Sequence, residues 1–267
     1  MTAGALVGGA GGAAASAPLL EARGLTLSWD GGATIVACDI SLVVHAGETV
    51  CLVGRSGCGK TTILHALSGL SRPLEGRVLL AGEDVTGVPG RVSYMLQKDL
   101  LLPNLRILDN ACLPLTLAGV SRDEARSRAR ELFAQFGLEG TEDLWPSQLS
   151  GGMRQRAAFL RTYLMGNGAV LLDEPFSALD AITRTELRQW YARMAGELGL
   201  ASVVITHDVD EAVSLASRVY VLRGNPSAGV PSGIVAQVDV PRPVSGEPFE
   251  LSHAYVDAKR EVLSFLG

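Results

Sequence analysis

No stretch of this chain reaches about 18 consecutive apolar residues, the least that reads as a membrane-spanning helix, so any membrane role has to come through a partner. A basic excess is missing too. The 23 Lys and Arg stand against 28 Asp and Glu, a net charge of -5, whereas nucleic-acid recognition needs a basic face. The four cysteines, Cys38, Cys51, Cys58 and Cys112, form no CxxC or metal-ligand spacing. They read as small buried or half-buried thiols, and a thiol inside a phosphate loop suits a reducing cytoplasm. Residues 1–18, mostly Gly and Ala, carry no Lys or Arg ahead of their apolar part. They lack the charged start of a signal peptide and are expected to form a disordered tail.

What is present is a globular composition. Hydrophobic residues make up 47% and charged residues 19% of 267, enough for one large domain or a domain with a subdomain. From residue 19 to 53, β-rich runs alternate with the turn signals Asp30-Gly31-Gly32 and His45-Ala46-Gly47, which predicts antiparallel strands. Thr49 to Val53 is apolar enough for a buried strand, and Thr62 to Leu70 has helical spacing. Arg77 to Leu80 and Val92 to Leu96 read as further strands. From about 98 to 163 the pattern turns helical, with the capping box Ser121-x-x-Glu124 opening a helix that Gly137 stops. Ala169 to Leu172 and Ser202 to Thr206 look like buried parallel strands with polar carboxyl ends. Asp208-x-x-Glu211 starts another helix. Two or three edge strands are predicted over 218–240, and a closing helix over 249–266.

Gly54-Arg55-Ser56-Gly57-Cys58-Gly59-Lys60-Thr61 is a complete phosphate-binding loop between a predicted strand and a predicted helix. Its glycines let successive N–H groups converge on phosphate oxygens. Lys60 is suited to the β- and γ-phosphates and the Thr61 hydroxyl to Mg²⁺. Alkylation of Cys58 is expected to block the loop. A second apolar strand ends in Asp173-Glu174, two carboxylates that leave the strand in different directions, one suited to the Mg²⁺ shell and one to the attacking water. His207 closes the strand Val203 to Thr206, where it can meet a γ-phosphate oxygen or orient that water. Gln97 closes a strand where the helical region begins, and its amide oxygen can reach Mg²⁺. Trp29 can stack on a base. Ser150-Gly151-Gly152 opens a helix, offering free N–H groups and a positive dipole end to an anion.

Taken in this order, the motifs resemble the ATP-binding subunit of an ABC transporter over roughly residues 19 to 240. Gly54 to Thr61 matches Walker A, and Ala169 to Glu174 matches Walker B. Gln97 matches the Q-loop, Leu149 to Gln155 the signature, Ser177 to Asp180 the D-loop and His207 the switch histidine. Trp29 takes the A-loop position, where the family more often has Tyr. The resemblance implies an α/β fold: a P-loop NTPase (RecA-like) core, an antiparallel β-subdomain, and an α-helical subdomain over about 98–163 that carries the signature. Residues 241–267 then form a C-terminal extension with the closing helix.

It also implies nucleotide contacts at Trp29, Gly54, Arg55, Ser56, Gly57, Cys58, Gly59, Lys60, Thr61, Thr62, Gln97, Ser150, Gly151 and Gly152. Thr61, Gln97 and Asp173 would serve the metal, and Glu174, His207 and Lys60 catalysis. ATP and Mg²⁺ are the implied cofactors. The implied partners are a second copy arranged head to tail, transmembrane permease subunits and, indirectly, an extracytoplasmic solute-binding protein, at the cytoplasmic face of the membrane. Gln97 to Pro103 and Leu149 to Arg156 resemble the nitrate/sulfonate/taurine importer group, which includes carriers of pyrimidine thiamine precursors. Asn104 departs from that group, which often has Trp there. A soluble ABC ATPase of the cluster-assembly type and a non-hydrolysing nucleotide-gated module are the alternatives.

Overall fold

The computed structural model describes residues 17–241 and 249–267, so the expected tail falls almost wholly outside the described residues. Two long strands come first, β1 (Leu20–Ser28) and β2 (Ile35–Val44), in antiparallel pairing from Leu20↔Val44 to Ser28↔Ile35. β3 (Thr49–Val53) then feeds the glycine loop and α1 (Lys60–Leu67). β4 (Glu75–Leu80), β5 (Glu83–Asp84) and β6 (Ser93–Met95) follow. Four helices come next: α2 (Ile107–Ala111), α3 (Leu113–Leu117), α4 (Arg122–Leu132) and α5 (Gly151–Tyr163). Strand and helix alternate afterwards: β7 (Ala169–Asp173), α6 (Ala181–Glu197), β8 (Ala201–Thr206) and α7 (Val209–Leu215). β9 (Arg218–Asn225), β10 (Val230–Asp239) and α8 (His253–Leu266) complete the fold.

The strands form one sheet in the order β5-β4-β1-β2-β10-β9-β3-β8-β7-β6. Its two halves differ in physical character. β6, β7, β8, β3 and β9 run parallel and are buried on both faces, as strands covered by helices must be. β1, β2, β4 and β5 form an antiparallel arm, joined to the rest by a single parallel bridge, Ser232↔Ala37.

Two expectations are corrected here. β3 belongs to the parallel half and not to the antiparallel strands before it. β9 and β10 are interior strands, because β9 pairs with β3 on one side and β10 on the other. The Gly/Pro-rich loop between them joins two strands that each have a neighbour on both sides in the sheet.

Alternation along the central strands sorts the core into two layers. Cys51, Val53, Val170, Leu172 and Val204 face the layer built with α2 and α4 to α8. Val50, Leu52, Ala169, Leu171, Val203 and Ile205 face α1 and the antiparallel arm. The helical region expected from 98 begins only at Ile107. Residues 99–102 form a loop that α2 and α5 hold in place. Buried Asn110 accepts from the Leu102 N–H at 2.7 Å and donates to the Leu102 and Leu105 carbonyls at 3.1 Å each. Arg161 donates to the Leu100 carbonyl at 2.8 Å.

The closing helix starts later than expected, at His253, with Ser252 as its cap. Tyr255, Ala258 and Val262 of α8 join the helical-side core, and Asp210 of α7 receives Tyr255 Oη at 2.6 Å and Lys259 Nζ at 2.5 Å.

Candidate active site

β3 ends at Val53, and the chain turns through Gly54 to Gly59 before α1 begins. Two glycines are required by the geometry. A Cβ on Gly54 would lie 2.7 Å from the Leu222 carbonyl oxygen. Gly59 has φ 94°, and a Cβ there would meet Val36 Cγ1 at 2.6 Å. Lys60 is buried and folds back over the loop, donating to the Gly54 and Arg55 carbonyls at 2.8 and 3.1 Å. A small cleft of about 240 Å³ results, lined by Trp29, Ser56, Gly57, Gly59, Lys60, Thr61, Thr62 and Glu174.

The side chains of Arg55 and Cys58 turn away from this cleft. Arg55 donates to the Gly267 carbonyl at 2.8 Å. Cys58 packs into the α1-side core with 1% exposure, and burial pushes its thiol up. Only the Cys58 backbone belongs to the loop, and a reagent can reach the thiol only by displacing it from the core.

β7 positions the carboxylates. Strand alternation turns Asp173 to the same side as Ala169 and Leu171, toward α1, and its Oδ1 accepts from the Thr61 hydroxyl at 3.5 Å. Oδ2 accepts from the Tyr94 hydroxyl at 3.1 Å. Burial holds the Asp173 carboxyl above the usual carboxylate range, against the hydrogen bonds from Tyr94 and Thr61 that lower it. No ion pair among the described residues includes this buried carboxylate. It and the Thr61 hydroxyl are hard oxygen donors of the kind Mg²⁺ takes, so the pair fits that cation.

Glu174 leaves the strand with φ 43°, a left-handed conformation costing a non-glycine residue about 1–3 kcal/mol. Its N–H donates to the Ile205 carbonyl at 3.0 Å, which holds that turn. The twist separates the two carboxylates, and Glu174 Oε1 meets His207 Nδ1 at 3.1 Å.

Gln97 joins this second carboxylate. Its amide nitrogen donates to Glu174 Oε2 at 3.3 Å and to Ser177 Oγ at 3.4 Å. In this conformation it stands with Glu174, while Thr61 and Asp173 form the other pair. Trp29 is 52% exposed, which excludes a core role. Its indole N–H donates to Thr62 Oγ1 at 3.3 Å, fixing the ring at the cleft mouth.

Ser150 caps α5 by accepting from the Met153 N–H at 3.3 Å, so the Ser-Gly-Gly segment is a helix start as read. It does not line the cleft of its own chain. Its glycines also permit close packing: a Cβ on Gly151 would lie 3.1 Å from Leu179 and one on Gly152 3.0 Å from Thr183.

Sequence reasoning missed Tyr94 and Gln155 as individual contributors. The buried Gln155 side chain donates to the Pro175 carbonyl, tying α5 to the segment after Glu174. Nothing local singles out Tyr94, because its partner Asp173 is distant in the chain and adjacent only in the sheet.

Comparison with known proteins agrees with this geometry. Residues 38–177 match the family described as ABC transporter. The chain is 38% identical over 239 residues to the nitrate import ATP-binding protein NrtC of Synechococcus elongatus, covering 88% of this chain but 36% of that protein. It is 40% identical over 190 residues to the formylaminopyrimidine import ATP-binding protein ThiZ of Halalkalibacterium halodurans, covering 71% of this chain and 74% of the relative. Among solved structures, the dimeric post-hydrolysis state of the ATP-binding cassette MJ0796, bound to ADP and Pi, superposes with a TM-score of 0.69. That match has 27% identity and covers 84% of this chain and 99% of the other. A complete phosphate loop, paired carboxylates and a histidine on one cleft rim, together with these relatives, place the chain in the ABC transporter family.

Proposed function

We propose that this chain hydrolyses ATP to energise solute import, working at the cytoplasmic face of a membrane as a peripheral subunit. The observation that carries this reading is the contact between Glu174 and His207 on the rim of the Lys60–Thr61 cleft. A carboxylate held by an imidazole beside a phosphate loop suits it to orient water for attack on a γ-phosphate. His207 steadies Glu174 and meets the γ-phosphate, and Lys60 leaves its loop carbonyls for the phosphates when nucleotide enters. Trp29 stacks on adenine. Thr61 and Asp173 hold Mg²⁺, with Gln97 joining from the Q-loop, and the cation when bound offsets charge on the phosphates.

The Ser150–Gly152 helix start lies outside the cleft, which supports a head-to-tail dimer in which it caps ATP held by the partner. Ser177 and Asp180 then link the two sites. Closing such a pair excludes water from the phosphates, so hydrolysis waits on dimerisation.

For the permease we assign the groove of about 460 Å³ lined in part by Leu100, Leu102, Leu117, Arg161 and Met165. Leu117 is 80% exposed there, an apolar surface that a membrane subunit would cover. Exposed Asn104 lies on the adjoining loop, where it tunes the choice of permease. The two relatives named above differ in cargo, nitrate against formylaminopyrimidine, so the cargo class is a small anion or a pyrimidine precursor delivered by a solute-binding protein.

Co-purification with a multispanning permease, followed by reconstitution into vesicles, tests the whole reading. ATP-dependent uptake supports it. Recovery of soluble assembly proteins with no multispanning subunit overturns the transport role.

A further inference from the structure

We propose that Tyr94 is a positioning residue for the metal carboxylate: its hydroxyl donates to Oδ2 of Asp173 at 3.1 Å and so turns Oδ1 toward Thr61. The inference rests on the reading above that Asp173 and Thr61 hold Mg²⁺. The register of β6 on β7 places Tyr94 beside Leu171, two residues before Asp173 on the same face, so its hydroxyl reaches the carboxylate diagonally across the strand pair.

The ring is itself fixed. It stands edge-on to His65, with centroids 5.8 Å apart and planes at 75°, and His65 belongs to α1, the helix that carries Thr61. Both ends of the arrangement therefore refer to one rigid element. With Oδ2 occupied by the phenol, Oδ1 is the oxygen left for the Thr61 side. Outer contacts of this kind orient metal ligands and are costly to lose. Tyr94 also borders the apolar groove assigned to the permease.

The test uses the full chain and a fluorescent, non-hydrolysable ATP analogue, whose Kd is measured in EDTA and in Mg²⁺. Tyr94→Phe is expected to keep the unmutated Kd in EDTA while the gain in affinity conferred by Mg²⁺ falls about 10-fold. Tyr94→Leu, which also removes the ring, is expected to lose the same share of that gain. An undiminished gain in Tyr94→Phe overturns the proposal. So does loss confined to Tyr94→Leu, or equal weakening in EDTA and Mg²⁺, since either points to packing alone. Asp173→Asn separates this inference from the reading beneath it. If that variant loses the Mg²⁺ gain while Tyr94→Phe retains it, only the Tyr94 role fails; if Asp173→Asn retains the gain, the metal assignment fails and the role of Tyr94 with it.

Discussion

Nδ1 of His207 lies 3.1 Å from Oε1 of Glu174, a contact between residues that leave two neighbouring strands. β7 and β8 pair in parallel with Asp173 opposite Ile205, so the residues just beyond both strands emerge at one edge of the sheet. The left-handed turn at Glu174 then swings its carboxylate away from Asp173 and toward the imidazole. One register and one strained residue thus separate the Asp173 carboxylate, beside Thr61, from the Glu174 carboxylate, beside His207.

That division predicts different failures for two substitutions. Glu174→Gln should lower ATP turnover by about 100-fold or more, the usual share of a general base, while nucleotide still binds. In ATP the variant should elute from gel filtration as a stable dimer. Lys60→Ala should instead weaken binding itself. Hydrolysis by Glu174→Gln at the unmutated rate would remove Glu174 from the role of base.

Trp29 stands exposed at the cleft mouth with its indole N–H on Thr62. Trp29→Ala should cost about 1–3 kcal/mol of nucleotide affinity, on the order of ten-fold in Kd, and Trp29→Tyr should restore most of it. An unchanged Kd in the alanine variant would show that the ring does not stack on the base.

Iodoacetamide should discriminate among the cysteines. Cys38 is exposed and Cys58 buried, and burial also pushes the Cys58 thiol up, which lowers its thiolate fraction. Mass spectrometry of the folded protein should find Cys38 labelled first and Cys58 labelled only as fast as the loop opens. Equal labelling rates would mean that the Cys58 side chain does not occupy the core.

The buried Asp173 carboxyl should make apo stability fall with rising pH. Its folded-state pKa is raised by burial, so the folded state binds the proton more tightly than the unfolded chain. This contribution is complete below the unfolded carboxylate pKa and is lost as pH rises through the folded value. Asp173→Asn should therefore melt higher than the unmutated apo protein at neutral pH, with the difference shrinking toward acid. A lower melting temperature at neutral pH would contradict the assigned burial cost.

The chemistry was legible in order along the chain because each motif is local. The bend of Gly54 to Thr61 rests on its glycines: Gly57 and Gly59 take positive φ, and a Cβ on Gly54 would lie 2.7 Å from the Leu222 carbonyl oxygen. The polar carboxyl ends of the strands at Asp173 and His207 were equally plain. α6 escaped the reading, although Asp180 caps it by accepting the Ile182 and Thr183 N–H groups at 3.1 Å each. A single Asp ahead of Ala181 carries no capping-box partner at the third helical position, so the local pattern gives no strong helix start there.

Strand order lay beyond local pattern. Val219 to Leu222 is as apolar as any central strand, and it became central because β3 and β10 supply hydrogen-bond partners on both sides. Side-chain direction was also undetermined: Cys58 and Arg55 share the phosphate loop, yet one enters the core and the other reaches Gly267. Tyr94 is the clearest case. It became a partner of Asp173 through the register between β6 and β7, and register depends on which strands a folded sheet brings side by side. Local sequence specifies donors, acceptors and turns, whereas the pairing of distant strands determines which of them meet.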